Sequence, residues 1–441
     1  MKWSDYRKIA EQIFLAGVDR VIPEKLISKK MMIKGNCLLI GSLSYSLKEI
    51  DSIYVIGAGK ASALMAAEVE KILGNLIKDG HIVVKYGHAC KLKCIGITEA
   101  GHPVPDSNGY QATRTILKIA EKAGPSDLAI CLLSGGGSAL LADFPEKSSP
   151  EEMMLVSNLL INSGATISEI NTVRKHLSMV KGGQLARAVH PATLVSLILS
   201  DVIGDPLDVI ASGPTTPDPT TFEQALDVLK KYNVEKNVPE GILKYLNEGR
   251  IGLRSETPKA GDPVFDKTKN LLIGTNRLAL EACREKAEKL KLNSFIINDK
   301  VQGDISTVAS YLLETSLKFR DDKNVIKPAC LLFGGEPTVK MTGNGLGGRN
   351  QHLALMCSLQ LRNNPGITML SAGTDGNDGP TDAAGAVIDN DTLPYAISKK
   401  IDPEKYLREF DSYHFFKKAG GHVITGPTMT NVMDIIITIV E

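Results

Sequence analysis

Along most of the chain a short aliphatic or β-branched run gives way to glycines and small polar residues, which lead into a helical stretch of roughly ten to twenty residues. This alternation is the pattern of an α/β fold. It predicts strands at Ser52–Ile56, His81–Val84, Leu128–Leu133 and Thr193–Leu199, with helices such as Ala61–Leu73 and Gly109–Ala123 between them. Strands apolar at every position imply a sheet covered on both faces. Ile9, Ile13, Phe14 and Val18 repeat at helical spacing, so the N-terminal segment reads as an amphipathic helix and not as a secretory peptide. Between Gly249 and Asn270 the apolar period stops in a polar stretch that contains prolines, the expected domain junction. Strand patterns resume at Asn270–Ile273, Ser294–Ile297, Cys330–Phe333, Ile367–Ser371, Ala386–Ile388 and Asp434–Val440. The expectation is therefore two α/β domains, 1–250 and 251–441.

Composition narrows the partners. In 441 residues, 51 Lys and Arg offset 50 Asp and Glu, a formal net charge of +1. A nucleic-acid or anionic-membrane surface would leave a basic excess, so neither partner is expected, and any bound anion should be small. The 7 cysteines form no disulfide framework and most lie in apolar runs, which fits a reducing cytoplasm. His88, Cys90 and Cys94 lack the paired half-sites of a metal motif. The most apolar runs, around Leu128–Leu133 and Leu194–Leu199, are too short to cross a bilayer. A homo-oligomer is compatible with all of this.

In open α/β sheets ligands bind where strands end and helix N-termini offer positive potential, so candidate chemistry lies in the loops after strands. Gly57-Ala58-Gly59-Lys60 fails both the Walker A and GxGxxG patterns and leaves Lys60 as a cation at a strand–helix turn. That lysine is either a solvated surface group or a point charge for a carboxylate or phosphate. Ser134-Gly135-Gly136-Gly137-Ser138 can turn successive N–H groups toward one anion, or simply make a tight turn. Asp201 and Asp205 leave the end of the Thr193–Leu199 strand, where a carboxylate can hold Mg²⁺, orient a hydroxyl or cap a helix. Gly343, Gly345 and Gly348 satisfy GxGxxG, but no carboxylate stands near twenty residues on to hold a ribose, and Arg349 suits bidentate anion binding instead. Glu336 stands upstream of this loop. Asp375, Asp378 and Asp382 suggest a cation, yet their spacing is not that of an EF-hand, and Asx turns explain them as well. Asn171-Thr172-Val173-Arg174-Lys175-His176, with Lys181, forms a basic segment.

Taken together, GAGKAS at 57–62, EAGHPVPD at 99–106, LLSGGGSALL at 132–141, NTVRKHLSMVKGGQLA at 171–186, SDVIGDPLDVIASGPTTPD at 200–218, GGEPTV with GNGLGGRNQHLAL within 334–355, SAGTDGNDGPTDAAGA at 371–386 and TGPTMTNVMD at 425–434 resemble the glycerate 2-kinase family with its C-terminal MOFRL domain. The resemblance spans nearly the whole chain. It departs in the last segment, which usually reads GPTGTNVND and here carries Met429 and Met433. The resemblance implies a Rossmann-like N-terminal domain, a smaller α/β C-terminal domain and a cleft between them. It also implies ATP- and Mg²⁺-dependent phosphorylation of D-glycerate at its 2-hydroxyl. Lys60, Asp201 and Arg349 would be catalytic; Lys60, Arg349, Ser134 and Ser138 would bind substrate; Gly135, Gly136, Gly137, Gly345, Gly347 and Gly348 would bind phosphates; and Asp205, Glu336 and Asp375 would hold the metal. Two rivals are an NAD(P)-dependent hydroxypyruvate reductase, which the formal GxGxxG favours, and a metabolite-binding sensor without catalysis.

Overall fold

The computed structural model describes residues 5–362 and 364–441. Its contacts divide into two compact units, Leu26–Ile273 and a second made of the chain up to Lys25 together with Gly274–Glu441. The division differs from the 1–250 and 251–441 expected from sequence, at both ends and for physical reasons.

The first unit opens with a small antiparallel sheet that the apolar pattern did not predict: β1 (Met31–Lys34), β2 (Cys37–Ile40) and β3 (Leu43–Ser46). Two-residue turns at Gly35-Asn36 and Gly41-Ser42 join its strands, with both glycines at φ 61°. The main sheet consists of β4 (Ile53–Ala58), β5 (Ile77–Lys85), β6 (Gly96–Ala100), β7 (Leu128–Leu133), β8 (Thr193–Leu199) and β9 (Thr268–Gly274), in the order β6-β5-β4-β7-β8-β9. The pairs from β6 to β8 are parallel. Counted from β4, this is the doubly wound Rossmann order, and its switch point, where the chain changes direction across the sheet, lies between β4 and β7. All residues of β4 and β7 are buried, as apolar strands between two helical layers require. The strand at 270–273, expected to open the second domain, is part of β9 and completes this first sheet, so the boundary moves toward the C-terminus.

A separate helical lobe has its own apolar core. Helices Pro150–Asn162, Ile167–His176, Phe222–Lys231 and Glu240–Arg250 bury Val156, Leu160, Val173, Phe222, Leu226, Ile242 and Leu246 together. Three of these helices start at capping boxes: Ser149 with Glu152, Thr166 with Glu169, and Thr221 with Gln224.

The second unit is built on a mixed sheet of β10 (Asn293–Asp304), β11 (Ala329–Thr338), β12 (Ile367–Gly373), β13 (Gly385–Ile388), β14 (His422–Val423) and β15 (Asp434–Val440), in the order β10-β11-β15-β12-β13-β14. Only β10 and β11 are parallel; the remaining pairs are antiparallel. The last strand therefore sits in the middle, and Asp434 at its start pairs with Gly335 on one side and Gly373 on the other. The N-terminal helix Asp5–Arg20 belongs here. It buries Ile13, Phe14 and Val18, and its buried Arg7 donates from Nε to Asp389 Oδ2 at 2.7 Å and from Nη2 to Thr392 Oγ1 at 2.6 Å. Among the described residues no helix is long and apolar enough to cross a membrane.

Candidate active site

In the first unit, the loops after β4 and β7 form one structure at the switch point. The Lys60 N–H donates to the Gly135 carbonyl at 2.9 Å, and the Ala61 N–H to Ser134 Oγ at 3.0 Å. Ser134 is buried and also lies 3.2 Å from Ser62 Oγ. Its hydroxyl thus locks the two turns together, which differs from the substrate contact expected of it. The glycines between Ser134 and Ser138 have distinct reasons to be there. Gly136 has φ 81°, which L side chains rarely adopt. A Cβ on Gly135 would lie 2.1 Å from Asp201 Oδ2. The missing side chain lets the carboxylate that ends β8 rest against the turn that ends β7. Lys60, the triple-glycine turn and Asp201, three separate expectations from sequence, are thereby brought to one sheet edge.

His102 is a fourth member of this edge, one not expected from sequence. A Cβ on Gly136 would meet the His102 ring at 2.9 Å and the Lys60 side chain at 3.6 Å. Burial, with the charges of Lys60, Lys85 and His88 adding to it, pushes the His102 imidazole down to about 4. The imidazole is therefore neutral near pH 7, and it reports a positive field at this edge. Among the described residues no ion pair consumes the Lys60 ammonium. Ser138 Oγ lies 2.7 Å from Ser212 Oγ, which in turn donates to Asn171 Oδ1 at 3.4 Å.

In the second unit, the expected anion site at the glycine loop is filled by the chain itself. Asp378, from the loop after β12, accepts the Asn350 N–H at 3.0 Å and the Gln351 N–H at 2.8 Å, so its carboxylate caps the helix Arg349–Gln360. A Cβ on Gly348 would lie 2.3 Å from that carboxylate. The Gly345 N–H donates to the Glu409 carbonyl and the Leu346 N–H to Asp411 Oδ1, each at 2.9 Å. Gly347, likewise, packs against Ser412. Close packing thus accounts for glycines that the sequence suggested for phosphate. Burial, only partly offset by the backbone donors of Gln351 and Asn350, pushes the Asp378 carboxyl up to about 6.

Arg349 does not present an open fork. Its Nε and Nη2 donate to Asp434 Oδ2 and Oδ1 at 2.6 and 3.0 Å, and Nη1 donates to Glu336 Oε1 at 2.7 Å. Burial works against its charge, but the carboxylates of Asp434, Glu336 and Asp378 outweigh burial and raise its pKa. Glu336 is therefore engaged with Arg349, and Asp375 Oδ1 accepts the Asn377 N–H at 3.2 Å in an Asx-type turn. Among the described residues no three His, Cys, Asp or Glu side chains gather as a metal cluster. Of the expected metal ligands, Glu336 and Asp375 in this unit thus each hold a partner of the chain itself. The Met429 segment is stapled to the same sheet edge: Thr428 Oγ1 donates to the Thr374 carbonyl, and Thr374 Oγ1 to the Met433 carbonyl, both at 2.6 Å.

A Rossmann-ordered sheet with a cation, a glycine turn and a carboxylate at its switch point makes this a doubly wound α/β protein with an edge chemically suited to a small anion. Similarity to known proteins narrows that class. Residues 9–247 match the family described as a domain of unknown function, DUF4147, and residues 329–434 match the MOFRL family. A D-glycerate 2-kinase of Thermotoga maritima is 40% identical over 98% of this chain and 98% of its own. The crystal structure of a glycerate kinase from the same organism superposes with a TM-score of 0.88 at 38% identity, covering 100% of both chains. A protein of Agrobacterium vitis provisionally named hydroxypyruvate reductase is 39% identical over 99% of this chain and 95% of its own. The chain belongs to the glycerate kinase family.

Proposed function

We propose that the protein is an ATP- and Mg²⁺-dependent kinase that phosphorylates the 2-hydroxyl of D-glycerate, giving 2-phosphoglycerate and ADP. The observation that carries this reading is the switch-point edge, where Lys60, the Gly135–Gly137 turn and Asp201 meet, in a chain similar over its full length to a D-glycerate 2-kinase. Phosphoryl transfer depends mainly on positioning and on neutralising anionic oxygens, which a lysine and inward-turned N–H groups supply. Lys60 binds an anionic oxygen of the reacting pair. Asp201 orients the attacking hydroxyl and accepts its proton. The neutral His102 leaves the positive charge of the edge to Lys60.

Mg²⁺ usually takes only one or two protein carboxylates and completes its shell with phosphate oxygens and water, so a three-carboxylate cage is not required. Asp205, on the loop that follows β8, is the candidate for that role, which leaves Asp201, resting against Gly135, to the hydroxyl. When bound, the ion would offset charge on the nucleotide phosphates. The catalytic role proposed for Arg349 is carried with a structural one, since its donors hold Asp434 and Glu336.

The name of the Agrobacterium relative favours a second reading, a hydroxypyruvate reductase. Against it stands the filled helix N-terminus at Arg349–Gln360, where Asp378 takes the place of a dinucleotide pyrophosphate. Two assays separate the readings. ADP release that requires both D-glycerate and Mg-ATP supports the kinase. Oxidation of NADH or NADPH on addition of hydroxypyruvate, without ADP release, would replace it with the reductase.

A further inference from the structure

The basic segment at 171–176 is not absorbed by the site described above. Arg174 lies in the last turn of helix Ile167–His176 in the helical lobe and lines a cavity of about 260 Å³. Ser138, which closes the triple-glycine turn, lines the same cavity, as do Lys181, Asp143, Met154 and Ile161. The charges around this space do not balance. Lys181 Nζ donates to Asp143 Oδ1 at 3.3 Å, and the Asp143 carboxylate also accepts from Ser178 Oγ at 2.7 Å and from the Met179 N–H at 2.5 Å. Asp143 is thereby satisfied and Lys181 is paired, while Arg174 has no ion-pair partner among the described residues. Burial pulls its pKa down, the mark of a cation losing water without gaining a carboxylate. A helix C-terminus favours a cation, which explains why a basic residue is tolerated there but leaves its forked donors unspent.

A larger cavity of about 720 Å³ shares Tyr110 and Asp143 with this one but contains no residue of the glycine turn. Two of its cations are already occupied: Arg187 by Gln184 and Glu256, and Arg254 by Glu248. The smaller cavity falls below the roughly 300–1,000 Å³ of pockets for drug-sized ligands, so it suits a molecule of a few heavy atoms.

From this arrangement we infer that the Arg174 cavity holds the carboxylate of the small hydroxy acid, with Ser138 joining it to the edge where Lys60 and Asp201 act. This rests on the kinase reading and adds a specificity residue to it. A planar guanidinium with open donors takes a carboxylate through two oxygens, and Met154 and Ile161 give the cavity an apolar rim beside it.

The test uses the full-length chain with D-glycerate and Mg-ATP. Arg174→Gln should raise the KM for D-glycerate about 10- to 100-fold, the weight of a charge-assisted pair, with kcat and the KM for ATP within about twofold. Met154→Glu places a competing carboxylate in the cavity and should raise the same KM well above that of Met154→Gln, and because Met154 is 44% exposed the change spares the core. A KM for D-glycerate unchanged in Arg174→Gln would overturn the inference, as would a loss that falls on ATP, which would make the cavity a phosphate site. Calorimetric titration of D-glycerate without nucleotide reads the cavity apart from turnover. If the native chain binds D-glycerate but transfers no phosphoryl group, the kinase reading alone fails. Equal affinity in the native chain and Arg174→Gln, or no binding to either, removes the cavity assignment.

Discussion

The two basic residues that the sequence put forward as a pair differ in what surrounds them. Lys60 stands at a strand end with no ion-pair partner among the described residues, so its removal should cost the fold little and the reaction much. Lys60→Ala is expected to lower kcat/KM about 100-fold or more while the thermal midpoint stays within a degree or two, read by ADP release and calorimetry. Unchanged kinetics would make Lys60 an ordinary surface lysine. Arg349 instead holds the buried Asp434 in a two-point pairing. Arg349→Ala leaves that carboxylate uncompensated and should cost about 3 kcal/mol in urea unfolding, and Arg349→Lys, which keeps the charge and loses the fork, part of that. Full stability in both variants would contradict the structural role. The glycine-rich approach to Arg349 was legible in sequence, but its partner stands 85 residues further on, and only the central position of β15 brings it there.

At the scale of elements, apolar runs located the buried strands well. Leu128–Leu133 and Thr193–Leu199 are β7 and β8 as expected. The short β1–β3 sheet was missed because its strands are four residues long and partly exposed, although its glycine turns were visible. The helical lobe was not expected although three capping boxes announce its helices, since they depart from the strand–helix alternation that marks the sheet-forming parts of the chain. The departures at Met429 and Met433 now have a physical meaning: both residues adopt left-handed backbone, with φ 59° and 69°. A glycine at 429 relieves a strain of about 1 kcal/mol, so Met429→Gly should raise stability by about that amount, and a loss of stability would show that the Met429 side chain earns its place by packing. The cap at helix Arg349–Gln360 yields a pH signature. The Asp378 carboxyl is raised to about 6 in the fold, above the ordinary range of an unfolded aspartate near 3.9. Its contribution is therefore fully present below about pH 4 and is lost as pH rises through about 6. Relative to the native chain, Asp378→Asn should gain on the order of 2–3 kcal/mol between pH 4 and pH 7 in paired urea titrations. A constant difference across that range would show that Asp378 titrates normally.

For the whole molecule, the fold class was readable because every strand–loop–helix passage states it locally. The division into units was not, because it depends on where the chain returns. Arg7 finds Asp389 across 382 residues, and β9 is claimed by a sheet whose other strands end at Leu199. Neither is encoded in a composition shift like that at 249–270. Chemistry was legible to the extent that it sits at strand ends: Lys60, the glycine turn and Asp201 meet where a doubly wound sheet reverses direction, whereas His102 and Arg174 gain significance only from their neighbours in space. Phosphorus NMR of the chain incubated with D-glycerate and Mg-ATP tests the kinase assignment at its centre. A new phosphomonoester signal is expected that coincides with added 2-phosphoglycerate and is consumed by enolase without a mutase. A signal matching 3-phosphoglycerate, or ATP left intact with D-glycerate present, would contradict it.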